Sequence, residues 1–268
     1  MVAKLLPLIP EHRRYVEVFG GGAALLFAKE PSEIEVYNDL DEGLVHFYRT
    51  LQREETMWPL LRKLFLSPYA RADYDAARAT WKDEQDPVER AFKWYKVARW
   101  SFGGIFGNSF GTVTSSSTRG MAQTAGGWIS TLESFPRFHA RIMRVQVEKQ
   151  DWRTILKRYD SKETFFYLDP PYVPETRKGG SYAHELNEAD HVDLVSRLLS
   201  VEGCVLLSGY PNPVYEALRT AGWSYREWKT VCSVAGRTRG HTSVRKDDLV
   251  RTEAVWFNYG DSGGLGLN

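Results

Sequence analysis

The stretch FFYLDPPYVPETR, residues 165–177, holds the residue types best suited to chemistry in this chain. The short aromatic run from Thr164 to Leu168, charged before it and proline-bounded after it, reads as a buried strand with Asp169 at its carboxyl end. Pro170 and Pro171 fix φ near −65° and remove two backbone donors, so neither strand nor helix continues and the carbonyls there are left to accept. The result is a stiff loop carrying one carboxylate, a free carbonyl and, at Tyr172, one aromatic face. The plain alternative is a strand-ending turn with a solvated Asp and a packing Tyr, since both Pro and Asp are ordinary turn residues.

A second constellation lies near the start. EVFGGGAALLF puts Gly20, Gly21 and Gly22 between a strand and a helix, where glycine lets the chain turn sharply and lets a ligand approach the main chain. It is neither G-x-G-x-x-G nor a P-loop, because no G-K-[ST] comes after it. VYNDLD then places Asp39 just after the next strand, where a carboxylate can accept from the two hydroxyls of a nucleoside ribose. Capping of the helix EGLVHFYRTL is the competing role for Asp39 or Asp41, and only one of them can be the cap.

The elements that must position these residues alternate. YVEVF (15–19) and EIEVY (34–37 at its core) read as strands, as do MRVQVE, TFFYL, CVLLS, WSYREWKT and EAVWFNY, which makes seven. NEADHVDLVSRLL reads as a helix capped by Asn187. Such alternation predicts a mostly parallel α/β sheet covered by helices, with ligands at the carboxyl ends of the strands. Residues 44–140 differ: helical periodicity, many tryptophans and almost no strand pattern predict an inserted helical subdomain. Its clearest helix is DPVERAFKWYKVARW, with Asp86 as cap, Pro87 first and Glu89 completing a capping box. There Val88, Phe92, Tyr95 and Ala98 are expected to share one face, and Arg90, Lys93, Lys96 and Arg99 to form a basic stripe on another. The next stretch, SFGGIFGNSFGTVTSSSTRGMAQTAGG, reads as a long functional or disordered loop, and residues 261–268 as a flexible tail.

Whole-chain properties narrow the class. The 268 residues suit one large domain or a domain carrying an insertion, and 43% hydrophobic content excludes general disorder. Net charge is only +1, yet Asp86–Arg158 holds twelve Lys/Arg against five Asp/Glu, and Arg219–Arg251 eight against three. Two basic regions in a near-neutral protein suit a polyanion-binding face, with a merely solvated surface as the alternative. Cys204 and Cys232 form no zinc or disulfide pattern, and no apolar run reaches membrane-spanning length, so a cytoplasmic protein without a metal site is expected.

Gly turn, ribose acid and D-P-P-Y strand end, in this order and split by a basic helical insertion, resemble the Dam-like (alpha-group) DNA adenine N6-methyltransferases. The likeness runs from about Tyr15 to Tyr259 through EVFGGGAALLF, YNDLDEGLVHFYR, RWSFGGIFGNSFG, DPPY, LSGYPNP and TEAVWFNY. It implies a Rossmann-like class I methyltransferase fold, with residues 1–43 and 141–260 as the catalytic domain and 44–140 as the target-recognition domain. It implies S-adenosylmethionine as cofactor, held by Glu17, Phe19, Gly20, Gly22, Asp39, Asp151 and Asp169. It implies double-stranded DNA as partner, with a cognate restriction endonuclease as a second candidate, in a prokaryotic or phage setting. By this likeness Asp169 and the Pro170 carbonyl accept the two amine hydrogens of a flipped-out adenine, with Pro171 stiffening the loop and Tyr172 stacking on the base. Arg90, Lys93, Lys96, Arg99, Asn108 and Arg119, with Arg237, Arg239 and Arg245 in a later Gly/Ser/Thr-rich loop, are then the DNA-contacting residues. Family members commonly open with a Lys-x-x-Gly-Gly-Lys segment, and this sequence opens downstream of that position at MVAKLLPLIPEH. The alternatives are a catalytically impaired DNA-binding homologue, or a methyltransferase acting on RNA or protein glutamine.

Overall fold

The computed structural model describes residues 1–171, 185–231 and 250–260. In chain order its elements begin with α1 (Val2–Leu5), β1 (Arg14–Glu17), α2 (Ala24–Ala28) and β2 (Ile34–Asn38). A helical stretch comes next: α3 (Glu42–Leu51), α4 (Glu54–Phe65), α5 (Arg71–Thr80), α6 (Pro87–Trp100), the short strands β3 (Ser117–Thr118) and β4 (Met121–Ala122), and α7 (Gln123–Ile142). Then come β5 (Val145–Glu148), α8 (Trp152–Tyr159), β6 (Thr164–Leu168), α9 (Glu188–Leu198), β7 (Cys204–Gly209), α10 (Glu216–Thr220), β8 (Ser224–Val231) and β9 (Val250–Phe257). The chain divides into two compact units, Met1–Asp41 with Val145–Asn268, and Glu42–Arg144. Among the described residues no helix is long and apolar enough to cross a membrane.

The first unit is built on a seven-stranded sheet of order β5-β2-β1-β6-β7-β9-β8. β9 alone runs against the direction of the other six strands, so the mostly parallel α/β sheet expected from the alternation is what forms. All five residues of β6 are buried, as a central parallel strand covered on both faces requires. Alternate strand residues Val16, Val36, Phe166, Leu168, Val205 and Leu207 form one core with Trp152, Ile155 and Leu156 of α8 and Leu194, Val195 and Leu198 of α9. From the central pair β1 and β6 the chain proceeds in opposite directions, β1 leading through α2 to β2 and β6 leading through α9 to β7. Such a reversal opens a crevice at the carboxyl ends of the two strands.

In the helical unit α6 packs against α3, α4 and α5. Its buried residues are Val88, Ala91, Trp94, Lys96, Val97 and Trp100, which corrects the expected apolar face of Val88, Phe92, Tyr95 and Ala98. Asp86 caps the helix, its side chain accepting from Glu89 N at 2.7 Å, but the Asp86 N–H goes to Glu84 at 3.1 Å, so the capping box does not close. A reciprocal box does form at α9, where Asn187 and Asp190 each accept the other's N–H. The expected long loop also shrinks. Its first part folds back through a Ser101–Phe110 bridge, with the Tyr74 hydroxyl bonded both to Ser101 Oγ and to the Asn108 carbonyl. Its last part, from Gln123, is already α7. There Trp128, Leu132, Phe135 and Ile142 bury one face despite Gly126, Gly127 and Pro136.

Candidate active site

The turn after β1 is fixed from three sides. Gly20 N–H donates to the Asn38 carbonyl at 2.8 Å, Gly21 N–H to Asp39 Oδ2 at 2.8 Å, and the Tyr37 hydroxyl to the Gly21 carbonyl at 2.8 Å. Gly21 turns at φ +47°, and a Cβ on Gly20 would lie 2.1 Å from the Tyr37 ring. Gly20 is thus required by its neighbour Tyr37, a different reason from close approach of a ligand. Gly22 is exposed and a Cβ there would meet nothing within 4 Å. Phe19 is half-buried against Trp152 at 6.5 Å between ring centroids.

Glu17, expected among the ligand contacts, lies beneath this turn instead. It is 2% exposed, and its Oε2 accepts from the Tyr15 hydroxyl at 2.7 Å and the Leu26 N–H at 3.1 Å. Both faces of β1 are covered, Tyr15, Val16 and Val18 being buried like Glu17 itself, so a side chain on either face of this strand points into the core. Burial pushes the Glu17 carboxyl up to about 8; the two hydrogen bonds oppose the shift and the nearby Asp169 charge adds to it.

The loop after β2 is centred on a residue that motif reading passed over. Asn38, 2% exposed, donates to the Val18 carbonyl at 2.9 Å and the Gln150 carbonyl at 3.0 Å, and accepts from Gln150 N–H at 2.8 Å. One amide therefore ties together the chain beyond β1, β2 and β5. A polar residue beside the acid at a buried strand end was the available signal, because such groups must find partners. Asp39 itself accepts from Gly21 and, through Oδ1, from Asp41 N–H at 2.8 Å. It therefore braces the glycine turn and its own loop. Asp151 caps α8, accepting from Arg153 N–H at 2.8 Å, with its side chain 47% exposed.

At the end of β6 the environment changes abruptly: Leu168 is buried, Asp169 exposed, Pro170 buried and Pro171 half-buried. Asp169 Oδ1 accepts from Ser208 Oγ, at the end of β7, at 2.9 Å. Burial first, and the Asp169 charge second, hold the Tyr167 and Tyr215 phenols well above their ordinary range. Tyr215 is hydrogen-bonded to the fully buried His191 Nδ1 at 2.8 Å, and burial lowers that histidine below its ordinary value. Tyr172 lies outside the described residues. Nothing in the stretch LSGYPNP singles out Ser208 as an individual residue; only strand pairing reveals that it faces Asp169.

In the helical unit the basic stripe is largely occupied by acidic partners. Arg90 pairs with Glu42 at 2.9 Å and Lys93 with Glu84 at 2.6 Å, while Arg99, the one exposed member, donates to Thr131 at 2.9 Å. Lys96 is 4% exposed, paired with Asp73 at 2.8 Å and set over the Phe92 and Trp100 rings. It is not a surface cation, which corrects its assignment to DNA contact. A three-residue repeat drifts by roughly 60° per step on a helix of 3.6 residues per turn, so the stripe winds into the core. The Asn108 side chain accepts from Ser109 N–H at 2.9 Å and serves its own loop. Arg119 and Gly120 form the two-residue turn of the β3–β4 hairpin, at φ +56° and +74°. These are the signs of a type I′ turn, unusual for arginine. The Arg119 side chain is half-exposed and pairs with Glu133 at 2.9 Å. Arg237, Arg239 and Arg245 lie outside the described residues.

Known proteins share this arrangement of sequence. A Type II methyltransferase of Lactococcus lactis subsp. cremoris, M1.LlaDCHI, is 26% identical, the match covering 96% of this chain and 92% of that protein. The DNA N-6-adenine-methyltransferase of Escherichia phage P1 is also 26% identical over 90% of this chain, which spans only 32% of that longer protein. A solved chain from Thermoplasma acidophilum, a putative methyltransferase by its description, aligns over 96% of this chain and 71% of its own length at 12% identity and a TM-score of 0.33, a likeness too low to carry an argument. The sequence model of the D12 class N6 adenine-specific DNA methyltransferases matches residues 1–231, taking in the glycine turn, Asp39, the helical unit, the Asp169 strand end and Ser208. A carboxylate at the mouth of the β1/β6 crevice, a glycine turn beside it and that match together assign the chain to the D12 class N6 adenine-specific DNA methyltransferase family.

Proposed function

We propose that this chain moves a methyl group from S-adenosylmethionine to the exocyclic N6 amine of an adenine turned out of double-stranded DNA. The observation that carries the reading is Asp169: an exposed carboxylate, held by Ser208, at the end of a wholly buried central strand beside the crevice. When bound, S-adenosylmethionine supplies an electrophilic methyl on a sulfonium. The residues present suit it. The turn leaves room over Gly22, where an added Cβ meets nothing within 4 Å. Asp39 stands just after β2, and each carboxylate oxygen can accept more than one hydrogen bond, so it can take ribose hydroxyls while bracing the turn. Asp151 and Phe19 stand at the edge assigned to the cofactor's adenine ring, Phe19 backed by the buried Trp152 ring.

Chemistry at N6 needs that nitrogen's lone pair, which is delocalised into the ring. Asp169 and the Pro170 carbonyl accept the two amine hydrogens and draw the nitrogen toward a nucleophilic sp³ form, and Tyr172 stacks on the base. Pro170 and Pro171 stiffen the backbone that carries the Pro170 carbonyl, since neither can rotate about φ, while the Asp169 carboxylate is held through Ser208. The amine is out of reach inside a duplex, so the base must leave the stack, as enzymes acting on bases require. Recognition is assigned to the unit Glu42–Arg144, with Arg119 at the hairpin tip as its reading side chain. A left-handed backbone on a non-glycine residue stores about 1–3 kcal/mol of strain, which favours a functional tip over a chance turn.

The test is transfer of tritiated methyl from S-adenosylmethionine onto unmethylated duplex DNA, RNA and a protein glutamine substrate in parallel. Label recovered as N6-methyladenine from DNA supports the reading. Label confined to RNA or protein, or none at all, refutes it.

A further inference from the structure

We propose that Ser208, backed by Tyr167, is the positioning residue that fixes the Asp169 carboxylate for the acceptor amine; this rests on the proposed role of Asp169 as acceptor of the amine hydrogens. Parallel pairing of β6 with β7 sets Leu168 opposite Leu207, so the next residues, Asp169 and Ser208, emerge side by side. Ser208 is 4% exposed, and its Oγ lies 2.9 Å from Asp169 Oδ1, 3.3 Å from the Tyr167 hydroxyl and 3.3 Å from the Leu168 carbonyl. A serine hydroxyl has one proton, and the ionised carboxylate is the stronger acceptor at the shorter distance, so that proton goes to Asp169. Ser208 Oγ is then the acceptor for the Tyr167 phenol, which is 6% exposed and kept protonated by burial. The chain of donors runs in one direction, Tyr167 to Ser208 to Asp169. It begins in the core and ends on an exposed side chain whose own backbone has just left the sheet. Tying Oδ1 arrests rotation about the Cβ–Cγ bond and sets the plane of the carboxylate. Loss of the tie removes the bond that sets the position of Oδ1, and an acceptor misplaced by an ångström is enough to slow a reaction strongly.

The variants are Ser208→Ala, Ser208→Thr, Tyr167→Phe and the Ser208→Ala/Tyr167→Phe pair, with Asp169→Ala alongside. Each is assayed for single-turnover methyl transfer to unmethylated duplex, and for S-adenosylmethionine and DNA dissociation constants. Ser208→Ala is expected to slow single-turnover transfer about 10- to 100-fold, the scale of a hydrogen bond to a charged group, with both dissociation constants within about twofold of wild type. Ser208→Thr, which keeps the hydroxyl, recovers most of that rate. Tyr167→Phe slows transfer less, and adds nothing in the double variant because it acts through the serine hydroxyl. A wild-type rate in Ser208→Ala while Asp169→Ala is inactive overturns the role of Ser208 and leaves that of Asp169 standing. Near-normal transfer in Asp169→Ala overturns both. Additive effects in the double variant, or a Ser208→Ala loss spread equally over rate and both affinities, also overturn the proposal.

Discussion

Gly20 and Gly22 occupy one turn, yet the same added methyl should act on them in opposite ways. A Cβ on Gly20 would fall 2.1, 2.6 and 2.7 Å from three Tyr37 ring carbons, where ordinary carbon contacts are about 3.5–4.0 Å. Tyr37 is fully buried and its hydroxyl is bonded to the Gly21 carbonyl at 2.8 Å, so the ring cannot swing aside without losing that bond. Overpacking of about 1–3 kcal/mol and a lost hydrogen bond of about 1 kcal/mol make Gly20→Ala destabilising by roughly 2–4 kcal/mol. At Gly22 nothing lies within 4 Å and φ is outside the left-handed region, so Gly22→Ala should stay within about 0.5 kcal/mol of wild type. Its Cβ would stand in the space assigned to S-adenosylmethionine and should weaken that affinity at least about tenfold, the equivalent of about 1.4 kcal/mol. Urea unfolding and calorimetric titration of the cofactor, run on both variants, measure the two effects separately. Wild-type stability in Gly20→Ala would refute the account of the turn, and unchanged cofactor affinity in Gly22→Ala would refute the placement of the ligand.

Asn38→Ala should lower stability by about 2–4 kcal/mol in thermal unfolding, because three hydrogen bonds at buried loop ends lose their common partner; Asn38→Asp should not rescue it, since a carboxylate cannot donate to Val18 and Gln150. Glu17 has its folded-state value raised to about 8 against 4.5 when unfolded. The folded protein therefore holds the proton more tightly, and Glu17 withdraws stability as pH rises from about 4.5 through about 8. Glu17→Gln should accordingly lose less stability than wild type between those limits, with a ceiling of roughly 5 kcal/mol on the difference; parallel pH profiles would refute this. In DNA titrations over a range of salt, Lys96→Met should leave the slope of log affinity against log salt unchanged because the side chain is buried. Arg119→Gln should instead change the ratio of affinities for target and scrambled duplexes, and a flattened slope in Lys96→Met or an unchanged ratio in Arg119→Gln would count against the respective assignments.

The alternating α/β order was legible because buried parallel strands are short, aromatic or β-branched runs, and TFFYL and CVLLS advertise themselves as such. Asp39 and Asp169 could be singled out because acids directly after buried strands are conspicuous. The start of α7 was not legible: Gly126 and Gly127 argue locally against a helix, and it is the packing of Trp128, Leu132 and Phe135 that overrides them. Gly126 also has a reason visible only in three dimensions, since a Cβ there would lie 3.3 Å from the Thr118 carbonyl of the hairpin. Lys96 shows how a spacing rule misleads when its period departs from the helix's own. Asn38 and Ser208 carry no motif of their own. Their roles arise from strand ends that lie far apart in sequence and are brought together by the sheet order.

The central claim, that Asp169 acts chiefly on the acceptor amine while the cofactor's main contacts lie at the glycine turn and Asp39, is tested most directly by Asp169→Ala. Two quantities are compared in the same preparation: tritiated methyl transfer to unmethylated duplex DNA, and calorimetric affinity for S-adenosylmethionine. The account predicts that transfer is abolished while cofactor affinity remains close to wild type. Turnover near the unsubstituted rate would contradict it.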